Sequence, residues 1–386
     1  MSLTRRLHLL CCSLLLLSPH ASAQADRGED CAGAAAQLTA ARDSEQRADW
    51  RAALGSYREA LAAAPECAEI LINVGVMHNR LNEPGQAVEA FRRAAALRPH
   101  LAAPHLNLGV TFFRARNFDE ARAALARAVE LEPDHAQARQ LLALALIAGE
   151  RFAEAAAHLE LLVERDATDR GALLALGECY LRLRRYREAA ERLGRLTRLE
   201  PGSARAHLRH GEALDNSGEP ELALAAFRRA VSLDPALPEA NYALGYALLK
   251  GGDLEGAAAA FESELRLNPG MLLAAYHLGK VHLQRERLAE AAEVLTRVTE
   301  SAPEFAPALE ALGQTFLKRG EAARAVPLLE RAVNLRPDWP DGRALLGRAY
   351  MAAGRREEAR REFEAARRLS QEERRRLEEK VNERKP

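Results

Sequence analysis

Pro238–Met271 reads PEANYALGYALLKGGDLEGAAAAFESELRLNPGM. Its punctuation predicts two short amphipathic helices and a turn. The first spans about Glu239–Lys250 and is stopped by Gly251-Gly252. Asp253 is placed to cap a second helix, which runs to about Leu267 and ends before Asn268-Pro269. Neither helix can bury its apolar stripe alone. Leu244, Leu248, Phe261, Leu265 and Leu267 need neighbours on both sides.

The chain supplies those neighbours by repeating the pattern every 34 residues. Steps of 34 from Gly245 land on Ala41, Gly75, Gly109, Ala143, Gly177, Gly211, Gly279, Gly313 and Gly347. Steps from Ala257 meet Ala every time, from Ala53 to Ala359. Small residues at both marks let the two helices of a repeat cross with their backbones close. A third mark is always large and apolar, as in Tyr57, Phe91, Leu125 and Phe261. A fourth is Pro in eight repeats, as in Pro235 and Pro269, where it ends the second helix. The fourth repeat, from Ala136 to Asp169, lacks both Gly and Pro, having Ala143 and Ala167. Ala is expected to suffice there.

Small residue at position 8, Ala at 20, Phe, Tyr or Leu at 24 and Pro at 32 of a 34-residue unit resemble the tetratricopeptide repeat. Ten such units cover residues 34–373. The resemblance implies an all-α, right-handed superhelical solenoid of ten helix-turn-helix units. It also implies that first helices line a concave groove, chiefly through positions 2, 5, 6, 9, 12 and 13. Position 4, often Trp in the family, holds residues such as Gln37, His105 and His207 here.

The groove positions have a distinctive content. Position 5 includes Leu174, Leu208, Tyr242 and Tyr276, and position 9 adds Tyr246 and Lys280. The three tyrosines combine apolar area with a hydrogen-bonding tip, as a peptide-binding surface requires. Replacing Tyr242 and Tyr276 by Ala is expected to abolish partner capture and leave folding intact. Position 12 is apolar from Phe113 to Met351 in most repeats; it either lines the groove or packs neighbouring repeats together. Position 13 holds Arg80, Arg114, Arg182, Lys250 and Lys318 and never an acid. Two readings stand: a basic rail for an acidic peptide, or cations complementing the end of the first helix. Asn73 and Asn107 resemble the groove asparagines of peptide-binding relatives. Arg205 and Arg209 resemble half of the carboxylate clamp of chaperone-binding members, but Gln140, Leu144 and Ala175 leave the rest missing.

Before the repeats, residues 1–23 read as an export signal. Arg5-Arg6 precede the apolar run Leu7–Leu17, and Ala21-Ser22-Ala23 fits a cleavage site with Gln24 as the new N-terminus. An uncleaved anchor and a twin-arginine signal are the alternatives. Residues 24–33 form a short polar lead. Gln37, Ala40 and Ser44 in the first repeat fit an exposed terminal unit. Cys31 and Cys67 lie in neighbouring inter-repeat turns, 36 residues apart, where a disulfide could staple the N-terminal cap. Cys179 is expected to be an inert core thiol. Residues 374–386 should extend the last helix as a charged tail.

The 386 residues carry 55 basic and 55 acidic side chains. Loss of residues 1–23 leaves 53 against 55, a net charge of −2, which argues against a nucleic-acid binder. No Gly-x-Ser-x-Gly, His-Glu-x-x-His or phosphate loop occurs, and no cofactor is implied. The 33 residues before the repeats and the 13 after them leave no room for a catalytic domain. His207 and His210 are expected to be interior side chains rather than metal ligands, and His78 and His282 to fill the core. The expected function is a non-catalytic, exported, periplasmic scaffold. It holds a protein or peptide partner in its groove, without a membrane span in the mature protein. The alternatives are a self-associating envelope protein, or an accessory subunit whose catalysis lies elsewhere.

Overall fold

The computed structural model describes residues 29–382. The export signal, residues 24–28 of the polar lead and the last four residues of the tail lie outside the described residues. Everything described is helical or turn, with twenty α-helices and no strand. The chain divides into two compact units, one ending at Pro201 and one starting at Gly202.

In the N-terminal unit a 3₁₀ turn, Glu29–Ala34, leads into five helix pairs. They are α1 (Ala35–Gln46) with α2 (Trp50–Ala63), α3 (Ala68–Arg80) with α4 (Pro84–Leu97), and α5 (Ala102–Arg114) with α6 (Phe118–Leu131). Then come α7 (Ala136–Ala148) with α8 (Phe152–Arg165), and α9 (Arg170–Arg182) with α10 (Tyr186–Leu199). The C-terminal unit repeats the plan. It has α11 (Ala204–Ser217) with α12 (Pro220–Leu233), α13 (Ala240–Lys250) with α14 (Leu254–Leu267), and α15 (Leu272–Gln284) with α16 (Leu288–Ser301). The last pairs are α17 (Ala306–Lys318) with α18 (Ala322–Leu335), and α19 (Pro340–Ala352) with α20 (Arg356–Asn382). Within each unit every helix packs on the next, so one pair covers the apolar face of its neighbour.

The glycine mark has a direct cause. A Cβ at Gly245 would lie 2.9 Å from the Phe261 ring, and one at Gly109 would lie 2.4 Å from Leu125. The large residue at position 24 therefore lies flat against position 8 of the same repeat. The Ala mark is fully buried beside it, as at Ala121 and Ala257. Asp253 caps α14 by accepting from the Gly256 N–H at 2.9 Å. In the fourth repeat the missing Pro is made good by side chains. Asp166 accepts from both the N–H and the hydroxyl of Thr168, at 2.8 and 2.7 Å, and Asp169 caps α9 at 2.9 Å.

A further register runs through the turns. Position 15 of every repeat has positive φ, from Ala48 at 57° to Gly354 at 76°. The backbone there must reverse between the two helices of a pair, so one residue adopts the left-handed conformation.

Cys31 and Cys67 are joined by a disulfide, with an S–S distance of 2.00 Å and Cα atoms 5.3 Å apart. It ties the 3₁₀ turn to the residue preceding α3. Ser44 departs from the expected exposed cap: it is 5% exposed, because its hydroxyl donates to the Ala40 carbonyl at 3.0 Å and so packs inward without an unmet hydrogen bond. Cys179 is buried, and burial pushes its thiol up to about 12, which removes the reactive thiolate. One polar clasp between neighbouring helices recurs in both units, at positions 170 residues apart in the chain. Tyr180 donates to Glu160 and Tyr350 to Glu330, while Arg185 and Arg355 lie over these rings at 4.4 Å.

Candidate functional site

Helical spacing places Tyr242, Tyr246 and Lys250 on one face of α13, at i, i+4 and i+8. The same spacing puts Leu273, Tyr276, His277 and Lys280 on one face of α15. Both helices are first helices of adjacent repeats in the C-terminal unit, and these faces meet. Tyr242 stacks on Tyr246 at 6.3 Å. The His277 ring lies 6.0 Å from Tyr242, 5.3 Å from Tyr246 and 5.0 Å from Tyr276. Tyr276 in turn packs edge-on against Phe305 at 5.1 Å. The floor is Phe261, wholly buried, with His277 stacked on it at 5.7 Å.

The upper side of this network is open. Tyr246 is 39% exposed and Leu273 48%. Burial depresses the His277 imidazole to about 4, reinforced by the Lys280 charge, so the ring is neutral near pH 7. Its Nδ1 is buried and has no hydrogen-bond partner among the described residues. Burial raises the phenols of Tyr242 and Tyr276, which keeps them as neutral donors. Two ammonium groups stand on the rings: Lys250 is 5.9 Å from the Tyr246 centroid and Lys280 5.7 Å from that of Tyr276. They differ in what holds them. Lys250 is bound to Asp215 at 2.6 Å. No carboxylate among the described residues comes within ion-pair distance of Lys280, although its field lowers the raised, half-buried Glu310 carboxyl.

The other expected groove residues fall elsewhere. Asn73, Asn107 and Leu174 belong to the N-terminal unit, on α3, α5 and α9, and all are half-buried. The Asn107 amide donates to the Ala103 carbonyl of its own helix at 2.9 Å, so it is committed locally. Leu208 is corrected from groove to core: it is 2% exposed and offers no surface. Arg205 and Arg209 lie half-buried on α11, and Arg209 grips both carboxylate oxygens of Glu212 at 2.6 and 2.7 Å. Position 12 packs in several repeats, where Phe113, Ile147 and Leu283 are 6, 9 and 6% exposed.

Four of the five position-13 cations have neighbours of their own: Lys250 is bound to Asp215, and three others lie against a ring or a carboxylate. Arg80 covers Trp50 at 5.3 Å, Arg182 covers Phe152 at 4.8 Å, and Lys318 faces Glu286 at 3.7 Å. The expectation that Tyr242 and Tyr276 can be cut back without cost is revised as well. Each packs against a buried cluster of the C-terminal unit, so both rings serve folding and surface together.

Phe261, read from sequence only as a core mark, completes the site together with His277, Leu273 and Phe305, which the repeat marks do not single out. Leu272-Leu273 was the available signal: flanking repeats have Pro238-Glu239 and Ala306-Pro307 at these positions. His78 and His282 fill the core at 4 and 5% exposure, whereas His207 and His210 are only half-buried. No cluster of three potential metal ligands occurs among the described residues. Nor does any described helix have the length and apolarity to cross a membrane.

The repeats themselves match a known family. One model described as "Tetratricopeptide repeat" matches residues 38–102, 106–170, 174–238, 208–272, 242–304 and 276–342, and a second of the same description matches 316–378. No curated protein sequence matches. Among solved structures, the C-terminal part of a TPR repeat-containing protein from Cytophaga hutchinsonii is 17% identical, with a TM-score of 0.51. That match covers 61% of this chain and 97% of the other. MamA from Desulfovibrio magneticus is 25% identical with a TM-score of 0.42, covering 44% of this chain and 96% of that one. YrrB is 22% identical with a TM-score of 0.45, over 46 and 92%. The Cytophaga likeness is one of fold.

Proposed function

This chain belongs to the tetratricopeptide-repeat family, a family of protein-interaction scaffolds, and we propose that its own interaction site is the ring face of α13 and α15. The scaffold is non-catalytic. It holds an extended peptide segment of a protein partner. An aromatic or branched apolar side chain of that segment rests on Tyr246, His277 and Leu273. A neighbouring carboxylate meets Lys280. One observation carries this reading: an open, connected ring surface has beside it a lysine with no ion-pair partner among the described residues.

The protein acts outside the cytoplasm. The charged, apolar and small-residue segments of residues 1–23 support export, with cleavage after Ala23. The Cys31–Cys67 disulfide supports an oxidising compartment, since a thiol pool would keep such a pair reduced. N-terminal sequencing of protein recovered from the native host should begin at Gln24; a start at Met1 or Ser2 in the cytoplasm contradicts export.

The site itself is tested with an array of twelve-residue peptides, each with one Phe, Tyr or Leu between acidic neighbours. A matched array carries Lys in place of the acids. The wild-type chain should favour the acidic set, and Lys280→Glu should reverse the preference. Binding indifferent to Lys280 contradicts the reading.

A further inference from the structure

Position 27 of the repeat faces inward, and nine repeats carry Ala, Leu or Val there, including Ala230 and Val298 on either side. The remaining one carries Glu264, on α14 and 1% exposed. A carboxylate is expensive to bury, so it must be met by donors. It accepts from the Tyr242 N–H at 3.3 Å, and the Glu239 N–H donates to it as well.

This pairing coincides with an irregularity in α13. That helix has 11 residues, against 13 or 14 in the other first helices of the unit. Glu239, just before it, sits at φ 71° and is the one described non-Gly residue with positive φ outside the position-15 turns. Pro238 is not the cause, because Pro340 occupies the same place in the last repeat and starts α19 normally. In a regular first turn the Tyr242 N–H would bond to the carbonyl of residue 238. It bonds to Glu264 instead, and the turn stays open.

We propose that Glu264 is a positioning residue of the aromatic site, whose carboxylate holds the first turn of α13 open and so sets the Tyr242 and Tyr246 rings against His277. This deepens the reading above, but it concerns ring geometry and stands or falls without any partner. Glu264 acts through the backbone and touches no ligand. Ala, the common residue at this position, would let α13 start earlier and rotate the tyrosines out of their present stack. The irregularity thus converts a generic repeat into one with a particular surface.

The groups around Glu264 belong to α13, α15 and the turn before α13. Those that act on its carboxylate are Glu239, in the turn, and Tyr242, at the start of α13; His277 reaches it only through the ring contact with Tyr242. Burial, with Glu239 adding to it, raises the Glu264 carboxyl above the ordinary value for a glutamate.

The test is carbon-13 NMR of the full chain with labelled tyrosine rings, of which there are seven. Glu264→Ala should shift the Tyr242 and Tyr246 ring signals and leave those of Tyr57 and Tyr180 in place. Glu264→Gln keeps an acceptor oxygen and should restore the wild-type positions. Unmoved Tyr242 and Tyr246 signals in the Ala variant overturn the proposal. An acid titration keeps the question answerable if the Ala variant does not fold. In the wild type these two signals should move in two steps, one at about 4 from His277 and one above the ordinary glutamate value. Glu264→Gln should retain the first step and lose the second; a Gln variant that titrates like the wild type overturns the proposal.

Discussion

The two units are built from the same kind of helix pair but place their irregularities differently. In the N-terminal unit all five left-handed turn positions carry side chains: Ala48, Asn82, Arg116, Glu150 and Arg184. In the C-terminal unit four of five are glycine, and Glu286 is the exception. A side chain in that conformation costs about 1 kcal/mol, so the N-terminal turns are strained by a few kcal/mol together. That unit also holds the disulfide. The C-terminal unit has relaxed turns and concentrates its departure in one place, where α13 starts late above a buried glutamate beneath exposed rings. Strain spread over turns affects stability alone, whereas strain gathered under a surface shapes what that surface presents.

The largest effect that separates the units should come from the disulfide. Closing its 36-residue span removes about 4 kcal/mol of chain entropy from the unfolded state. The two tryptophans report the units separately: Trp50 lies in α2 and Trp339 just before α19. Cys31→Ser with Cys67→Ser should therefore move the urea transition seen by Trp50 and spare the one seen by Trp339. Equal movement of both would show that the units do not differ in this way. Phe261→Ala should do the converse, costing about 3 kcal/mol at the Trp339 transition through the cavity it leaves under the rings.

Smaller effects sharpen the contrast. Arg184→Gly should stabilise the N-terminal unit by about 1 kcal/mol, because glycine adopts positive φ freely. Gly252→Ala should destabilise the C-terminal unit by about the same amount; thermal melts of each variant check both signs. The smallest effect is on pH dependence. The folded carboxyl of Glu264 is raised, so the native state holds its proton more tightly than the unfolded chain does. Its contribution to stability is complete below the ordinary glutamate value and is lost as pH rises through the folded value. Glu264→Gln should flatten that part of the stability profile.

Much of this was legible in the residues alone. The period, the Gly-to-large contact of Gly245 with Phe261 and the caps follow from marks that recur at fixed spacing, and each mark states its own physical need. The Cys31–Cys67 pairing was visible because one repeat plus two residues returns the chain to an equivalent turn. Other features were hidden for a common reason: they depend on what lies across from a residue, not on the residue itself. Lys250 reads as a free cation until Asp215, one repeat and one residue earlier, is found against it. Leu208 shares a position with Tyr242, but it is taken up by packing. The left-handed register escaped notice because Ala, Asn, Arg, Glu and Gly share it, so no single residue type marks it. Glu264 reads as a solvated charge in a helix until its burial is known.

The central claim is that the C-terminal ring face, and not the matching face of the N-terminal unit, engages a partner. Tyr246 and Val110 occupy the same position of their repeats, one in each unit. A photo-crosslinking amino acid can replace each in turn in the native host. Position 246 should yield a discrete crosslinked protein that disappears with Lys280→Glu, while position 110 yields none. A crosslink at 110 with none at 246, or one at 246 that ignores the lysine, would contradict the account.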